Sequence, residues 1–282
     1  ETGISSALFN ELIAICRPEW MVLHTLPFDQ DADRAPVLET LELLWIVGDL
    51  PEFSTTIQQC KNLESLIIGE WEPDGGESVS LSDLEKLHTL TLAASGIQDL
   101  SGIEFPLSLQ RLHLVACETL TDISGISEIP NLKSLGMAGS FDVASLKPVS
   151  GLEQLNRISF PGNTTQEDFE TIVGQNQSLE LVELIECPEV VDLSPLEDQE
   201  NLKILILQSD TIWKELVGSL TQLELIILNK EIFEKSPELI SELRTQLPDT
   251  HIVPGSGLCL GSGWLLLLLP LVIVSRLLFR KK

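Results

Sequence analysis

Histidine, cysteine and hydroxyl side chains are the groups best able to hold a metal or act as nucleophiles, and their spacing here favours neither. His24, His88, His113 and His251 fall in separate stretches, with no pair at metal-ligand spacing. Cys16, Cys60, Cys117, Cys187 and Cys259 include no C-x-x-C pair, so neither a zinc site nor a thioredoxin-like couple is encoded. A G-x-S-x-G elbow and a glycine-rich phosphate loop are both missing. The expectation is a binding protein and not an enzyme, with no cofactor and no metal. Two sequons, Asn163-Thr-Thr165 and Asn176-Gln-Ser178, matter only in a eukaryotic secretory setting.

The elements that must position a binding surface are marked by a recurring hexad, L-x-x-L-x-L, with Val, Ile, Met or Phe allowed for Leu. Nine copies start at Leu38, Leu63, Leu87, Leu109, Leu132, Leu155, Leu179, Leu202 and Leu223, 21 to 25 residues apart. A short strand cannot bury its apolar residues alone, so successive turns must stack into one continuous core. The first, fourth and sixth positions point inward. The third, fifth and seventh then share the opposite, concave side.

Those outward slots are the candidate site. Repeat one supplies Thr40, Glu42 and Leu44, and repeat two Ser65, Ile67 and Gly69. Repeats three to six supply mainly small side chains, together with Arg111, His113 and Arg157, basic groups able to receive a carboxylate. Repeats seven to nine supply Leu181, Glu183, Ile185, Ile204, Ile206, Gln208, Leu225, Ile227 and Asn229. Six of these nine are aliphatic, a patch that a monomer rarely leaves bare. It is expected to bind a protein partner or a second copy. Cover by the C-terminal helix or a loop, and a hexad register slipped by one, are the alternatives.

The period and hexad are similar to those of leucine-rich repeats. The phrases Ile97-Gln-Asp-Leu-Ser-Gly-Ile103, Leu120-Thr-Asp-Ile-Ser-Gly-Ile126 and Val190-Val-Asp-Leu-Ser-Pro-Leu196 resemble the repeats of bacterial internalins. The resemblance implies an α/β leucine-rich-repeat solenoid: a curved parallel β-sheet with short helices or 3₁₀ turns on the convex side. Asp and Ser of the phrase suit the capping of such turns. Cys117 and Cys187 occupy the slot that turns inward after the strand, which implies buried thiols. In repeat six, PGNTTQEDFETIVGQNQS reads as a true helix starting at Thr164 or Thr165.

The chain's 43 acidic and 17 basic residues give a net charge of −26, a field that repels phosphate backbones, so nucleic acid is not an expected partner. The C-terminal stretch Trp264, Leu265, Leu266, Leu267, Leu268, Leu269, Pro270, Leu271, Val272, Ile273, Val274 is apolar and precedes Arg276, Arg280, Lys281 and Lys282. Leu258 to Phe279 is about the length of a membrane-spanning helix of ~20 residues. A single-pass lipid anchor is expected, with Trp264 at one interface, the basic end cytoplasmic and the repeats on the other side, as at a cell surface. Small residues before this run resemble the sorting tails of bacterial surface proteins.

The expected layout is an N-terminal cap over residues 1–37, with a helix at 4–16 and a strand at 21–26. The solenoid follows over 38–234, then a C-terminal cap over 235–253 containing the helix 237–247. A hinge over 254–263 and the transmembrane helix with its basic end over 264–282 complete it. An accessory subunit of a membrane complex, held by its span, is the alternative role.

Overall fold

The computed structural model describes residues 20–23, 40–47, 57–73, 78–208 and 219–255. Strands β1 (Trp20–Leu23), β2 (Leu43–Val47), β3 (Ser65–Gly69), β5 (Thr89–Ala93), β7 (Arg111–Val115), β8 (Ser134–Gly136), β9 (Arg157–Phe160), β10 (Leu181–Ile185), β11 (Ile204–Gln208), β12 (Leu225–Asn229) and β13 (His251–Gly255) form one sheet in chain order. All their pairings are parallel. β4 (Val79–Ser80) and β6 (Ile103–Glu104) make a separate two-stranded ladder. The expected helix at 4–16, residues 74–77, and everything from residue 256 onward lie outside the described residues.

Fourth and sixth hexad positions fill the core on one side of the sheet, with Leu66 and Ile68, Leu90 and Leu92, Leu112 and Leu114, Leu205 and Leu207 all buried in one cluster. In repeat one the register differs from the expectation. Leu41, Leu44 and Ile46 are the inward residues, and Leu44 pairs with Leu66. Leu44 is therefore core and not concave surface. The run Leu38-x-x-Leu41-x-x-Leu44 satisfies the pattern in two frames, and the stack selects the one 22 residues before Leu63.

After the strand the chain turns sharply. Glu70, Ala94, Ala116 and Glu186 adopt φ of 49–55°, and Gly139 adopts 75° at the equivalent slot. The residue that follows points inward. The Cys117 thiol donates to Leu92 O at 3.7 Å and that of Cys187 to Pro161 O at 3.4 Å, tying each coil to its predecessor. Both thiols are free and buried. The convex returns are 3₁₀ turns at Ser124–Glu128, Lys147–Gly151 and Ser194–Leu196. Asp99, Asp122 and Asp192 each accept the backbone N–H of the serine two residues on, which fixes the entry to the return.

Helix α1 (Gln166–Gln175) forms where repeat six departs from that phrase. Thr165 Oγ1 accepts from Asp168 N at its start, and Phe169 packs on Phe160 of β9 with ring centroids 5.6 Å apart. At the end, α2 (Lys230–Lys235) and α3 (Pro237–Gln246) precede β13. That last strand takes in Pro254 and Gly255, which composition alone assigns to the hinge.

Candidate functional site

Strand alternation puts three columns of side chains on the face opposite the core, and adjacent coils align them in register. The central column runs Ile67, Thr91, His113, Gly136, Ser159, Glu183, Ile206, Ile227, each paired with the next across neighbouring strands. One flank carries Ser65, Thr89, Arg111, Ser134, Arg157, Leu181, Ile204 and Leu225. The other carries Gly69, Ala93, Val115, Ala138, Pro161, Ile185, Gln208 and Asn229.

Exposure corrects part of the expected surface. Ile206 is 1% and Ile227 3% exposed, and Ile67, His113 and Glu183 are buried too. None of the three isoleucines belongs to the core cluster, so the register has not slipped: they lie on the far side of the sheet and are nonetheless shielded. Leu181, Ile185, Ile204, Gln208, Leu225 and Asn229 are half-buried, while Arg111 and Arg157 are exposed. The alternation of apolar residues reports which side of a strand a residue is on. Shielding of that side depends on what lies above it.

The basic positions do not form one cationic cluster. Arg111 Nε donates to Thr89 Oγ1 at 2.8 Å, and Arg157 faces Glu180 at 3.8 Å in a half-exposed pair worth little on its own. His113 is held neutral at pH 7, its pKa lowered to about 4 by burial and then by the Arg111 charge. His113 and Cys117 sit on opposite faces of the sheet, so they are no catalytic dyad.

The central column also holds polar atoms with nothing to bond to. Thr91 Oγ1, His113 Nδ1 and Ser159 Oγ are buried without a hydrogen-bond partner. A Cβ on Gly136 would lie 2.8 Å from His113 Nδ1, so the absence of a side chain there is what lets the imidazole lie across its neighbour. Hexad spacing fixes which side of the sheet these residues occupy, and no pattern in the chain encodes their isolation.

Burial raises the Cys60 thiol to about 12, Cys117 to about 11 and Cys187 to about 12, leaving them protonated and unreactive. Asn176 is buried with Nδ2 donating to Ile172 O, so its sequon is closed to modification; Asn163 is exposed, its Nδ2 donating to Val143 O. Among the described residues no group of three or more His, Cys, Asp or Glu is placed to hold a metal ion.

An 11-stranded parallel sheet built from 21- to 26-residue coils, with inward leucines and short convex returns, decides the architecture. The fold is that of a leucine-rich-repeat solenoid. No protein-family model matches it. A disease resistance protein of Arabidopsis thaliana, RPS4B, is 28% identical over 176 residues, covering 61% of this chain and 14% of that much longer protein. Among solved structures, an internalin (inlF) of Listeria monocytogenes aligns with TM-score 0.41 and 16% identity over 88% of this chain and 89% of its own. A leucine-rich-repeat protein of Leptospira interrogans gives 0.39 and 17%, covering 84% and 76%. The leucine-rich-repeat domain of the type III effector XopL gives 0.41 and 21%, covering 86% and 80%.

Proposed function

We propose that this leucine-rich-repeat protein is a membrane-tethered binding module that takes a protein partner on its concave face. The observation that carries the reading is the aligned aliphatic flank Leu181, Ile204 and Leu225. These residues pair across β10, β11 and β12 and remain half-buried where core residues would be closed off. Arg157 continues the same flank on β9, paired with Leu181, and Arg111 lies two strands further on. An apolar strip ending in exposed guanidinium groups suits a partner with an apolar centre and an acidic rim.

The tether rests on the apolar stretch from Trp264 to Val274 and the basic end after it. No helix among the described residues is long and apolar enough to cross a membrane. In this reading the span is residues 258–279, with the repeats outside the cytoplasm and the basic end inside.

Replacing Ile204 and Leu225 by Asp tests the concave reading. Affinity capture from detergent-solubilised membranes, with binding of the captured partner then titrated, is expected to show at least about a tenfold loss, the cost of 1.4 kcal/mol or more at a hot-spot pair. The circular dichroism melt is expected to stay within a few degrees. Undiminished binding would rule this flank out. If full binding survives both changes but disappears when residues 256–282 are removed, the span itself makes the contacts and the chain is a subunit of a membrane complex.

A further inference from the structure

We propose that the N-terminal end of the concave face is a second docking point, where Trp45, Glu42 and Glu64 receive an arginine or lysine side chain from a basic segment of a protein partner. It adds to the concave reading above a contact of opposite charge at the other end of the same sheet. The register of repeat one exposes it. With Leu41, Leu44 and Ile46 in the core, Leu43, Trp45 and Val47 face the other way, paired with Ser65, Ile67 and Gly69 of β3. All three are half-buried and outside the core cluster. In the central column Ile67 is 0% and Ile206 1% exposed, so Trp45 marks where that column opens toward the N-terminus.

The side chains suit a cation on a hydrocarbon stem. The Trp45 indole reaches across β3: the atom nearest to a Cβ built on Gly69 is Trp45 Nε1, at 3.7 Å. Tryptophan is the best of the aromatic rings at holding a cation, and Leu43 and Val47 beside it offer apolar surface for the methylenes that carry one. Tryptophan is also enriched among the residues that dominate binding energy at interfaces.

The charges agree. Glu42 and Glu64 are exposed and adjoin on neighbouring coils, Glu64 N donating to Glu42 O at 2.8 Å. Among the described residues no ion pair takes up either carboxylate. Glu70 adds an exposed acid just after β3, while the Glu72 carboxylate turns onto Gly96 of the next coil. Described cations nearby are engaged elsewhere. Lys61 faces Asp83 at 3.9 Å, Lys86 donates to Asn62, and Arg111, three strand spacings or about 14 Å away, donates to Thr89. Like charges on adjoining coils repel, and a partner's cation relieves that repulsion on binding. Arg111 and Arg157 favour an acidic group further along the flank, so the two ends prefer opposite charges and fix which way a partner lies.

The test holds the full chain in phosphatidylcholine nanodiscs and titrates it with a dye-labelled peptide alternating arginine and glycine, read by fluorescence anisotropy at about 0.05 M sodium chloride. Binding is expected, and citrulline in place of arginine should abolish it by removing the charge and keeping the stem. Trp45→Ala is expected to weaken binding at least about tenfold, and so is Glu42→Gln with Glu64→Gln. The glutamate pair is exposed, so its result does not depend on how Trp45→Ala folds. Glu128→Gln with Glu153→Gln, the same neutralisation on the exposed convex side, should change binding by less than about twofold. No binding, equal binding of the citrulline peptide, or equal effects of the two glutamate pairs would overturn the proposal. Ile204→Asp with Leu225→Asp should leave the peptide bound. Loss of the peptide with that variant would place the contact at the other end of the face and overturn the proposal too. Failure at Trp45 leaves the Ile204 and Leu225 result for the captured partner standing, so the two readings fail separately.

Discussion

At His113 the cost of placing an ionisable group in a shielded row can be read directly. Its folded-state pKa is lowered from 6.5 to about 4 by desolvation and then by Arg111. The unfolded chain therefore takes up a proton below pH 6.5 while the folded chain does not until about pH 4. Stability present at neutral pH is lost as pH falls through that window, by roughly 3 kcal/mol if the whole shift is expressed. His113→Gln removes the titration and leaves a polar group of similar reach. Urea unfolding at pH 7 and pH 4.5 is expected to show wild type losing about 2 kcal/mol more than the variant, the carboxylates being common to both. Parallel losses in the two proteins would mean that the imidazole is solvated. The same side chain explains why a sequence reading could name His113 without foreseeing its state: spacing gives its column, and charge state depends on the dryness above it.

At the level of the coil, the repeated element is a strand followed by one left-handed residue. Four of the five described examples are Ala or Glu, and the fifth is Gly139, whose added Cβ would lie 3.2 Å from Ala116 Cα on the preceding coil. A side chain there meets both the conformational penalty and that contact. Gly139→Ala is expected to lower stability by about 1–2 kcal/mol in denaturant melts, whereas Ala94→Gly should be neutral or mildly stabilising. A neutral Gly139→Ala would mean that the preceding coil yields. Hexads from Leu63 to Leu223 were legible as strands because inward leucines recur at fixed positions, and α1 because Thr-Gln-Glu-Asp supplies a cap and an acidic first turn. The β4–β6 ladder was not, since two-residue strands have no period to detect. Neither was α2, where Lys-Glu-Ile-Phe-Glu-Lys follows β12 with no break and only Asn229 to cap it. Repeat one misled through an excess of signal, with Leu38, Leu41 and Leu44 all in phase.

The whole molecule is a one-dimensional stack, so its long-range electrostatics are set by charge per coil and not by a single cluster. A net charge of −26 puts acids on neighbouring coils in repulsion, only partly offset by cross-coil pairs such as Lys203 with Glu224 at 3.5 Å and Lys61 with Asp83 at 3.9 Å. Those pairs are exposed and contribute little individually. Repulsion between like charges about one coil apart acts over distances shorter than the Debye length at low salt and is screened as that length falls to about 8 Å near 0.15 M. Salt should therefore stabilise this solenoid. Raising sodium chloride from 0.02 to 0.2 M is expected to increase the melting temperature by a few degrees, with no change in the cooperativity of the transition. A melting temperature that falls with salt would show the cross-coil ion pairs outweighing the repulsion. The acids of this chain would then have to be arranged for pairing and not merely for solubility.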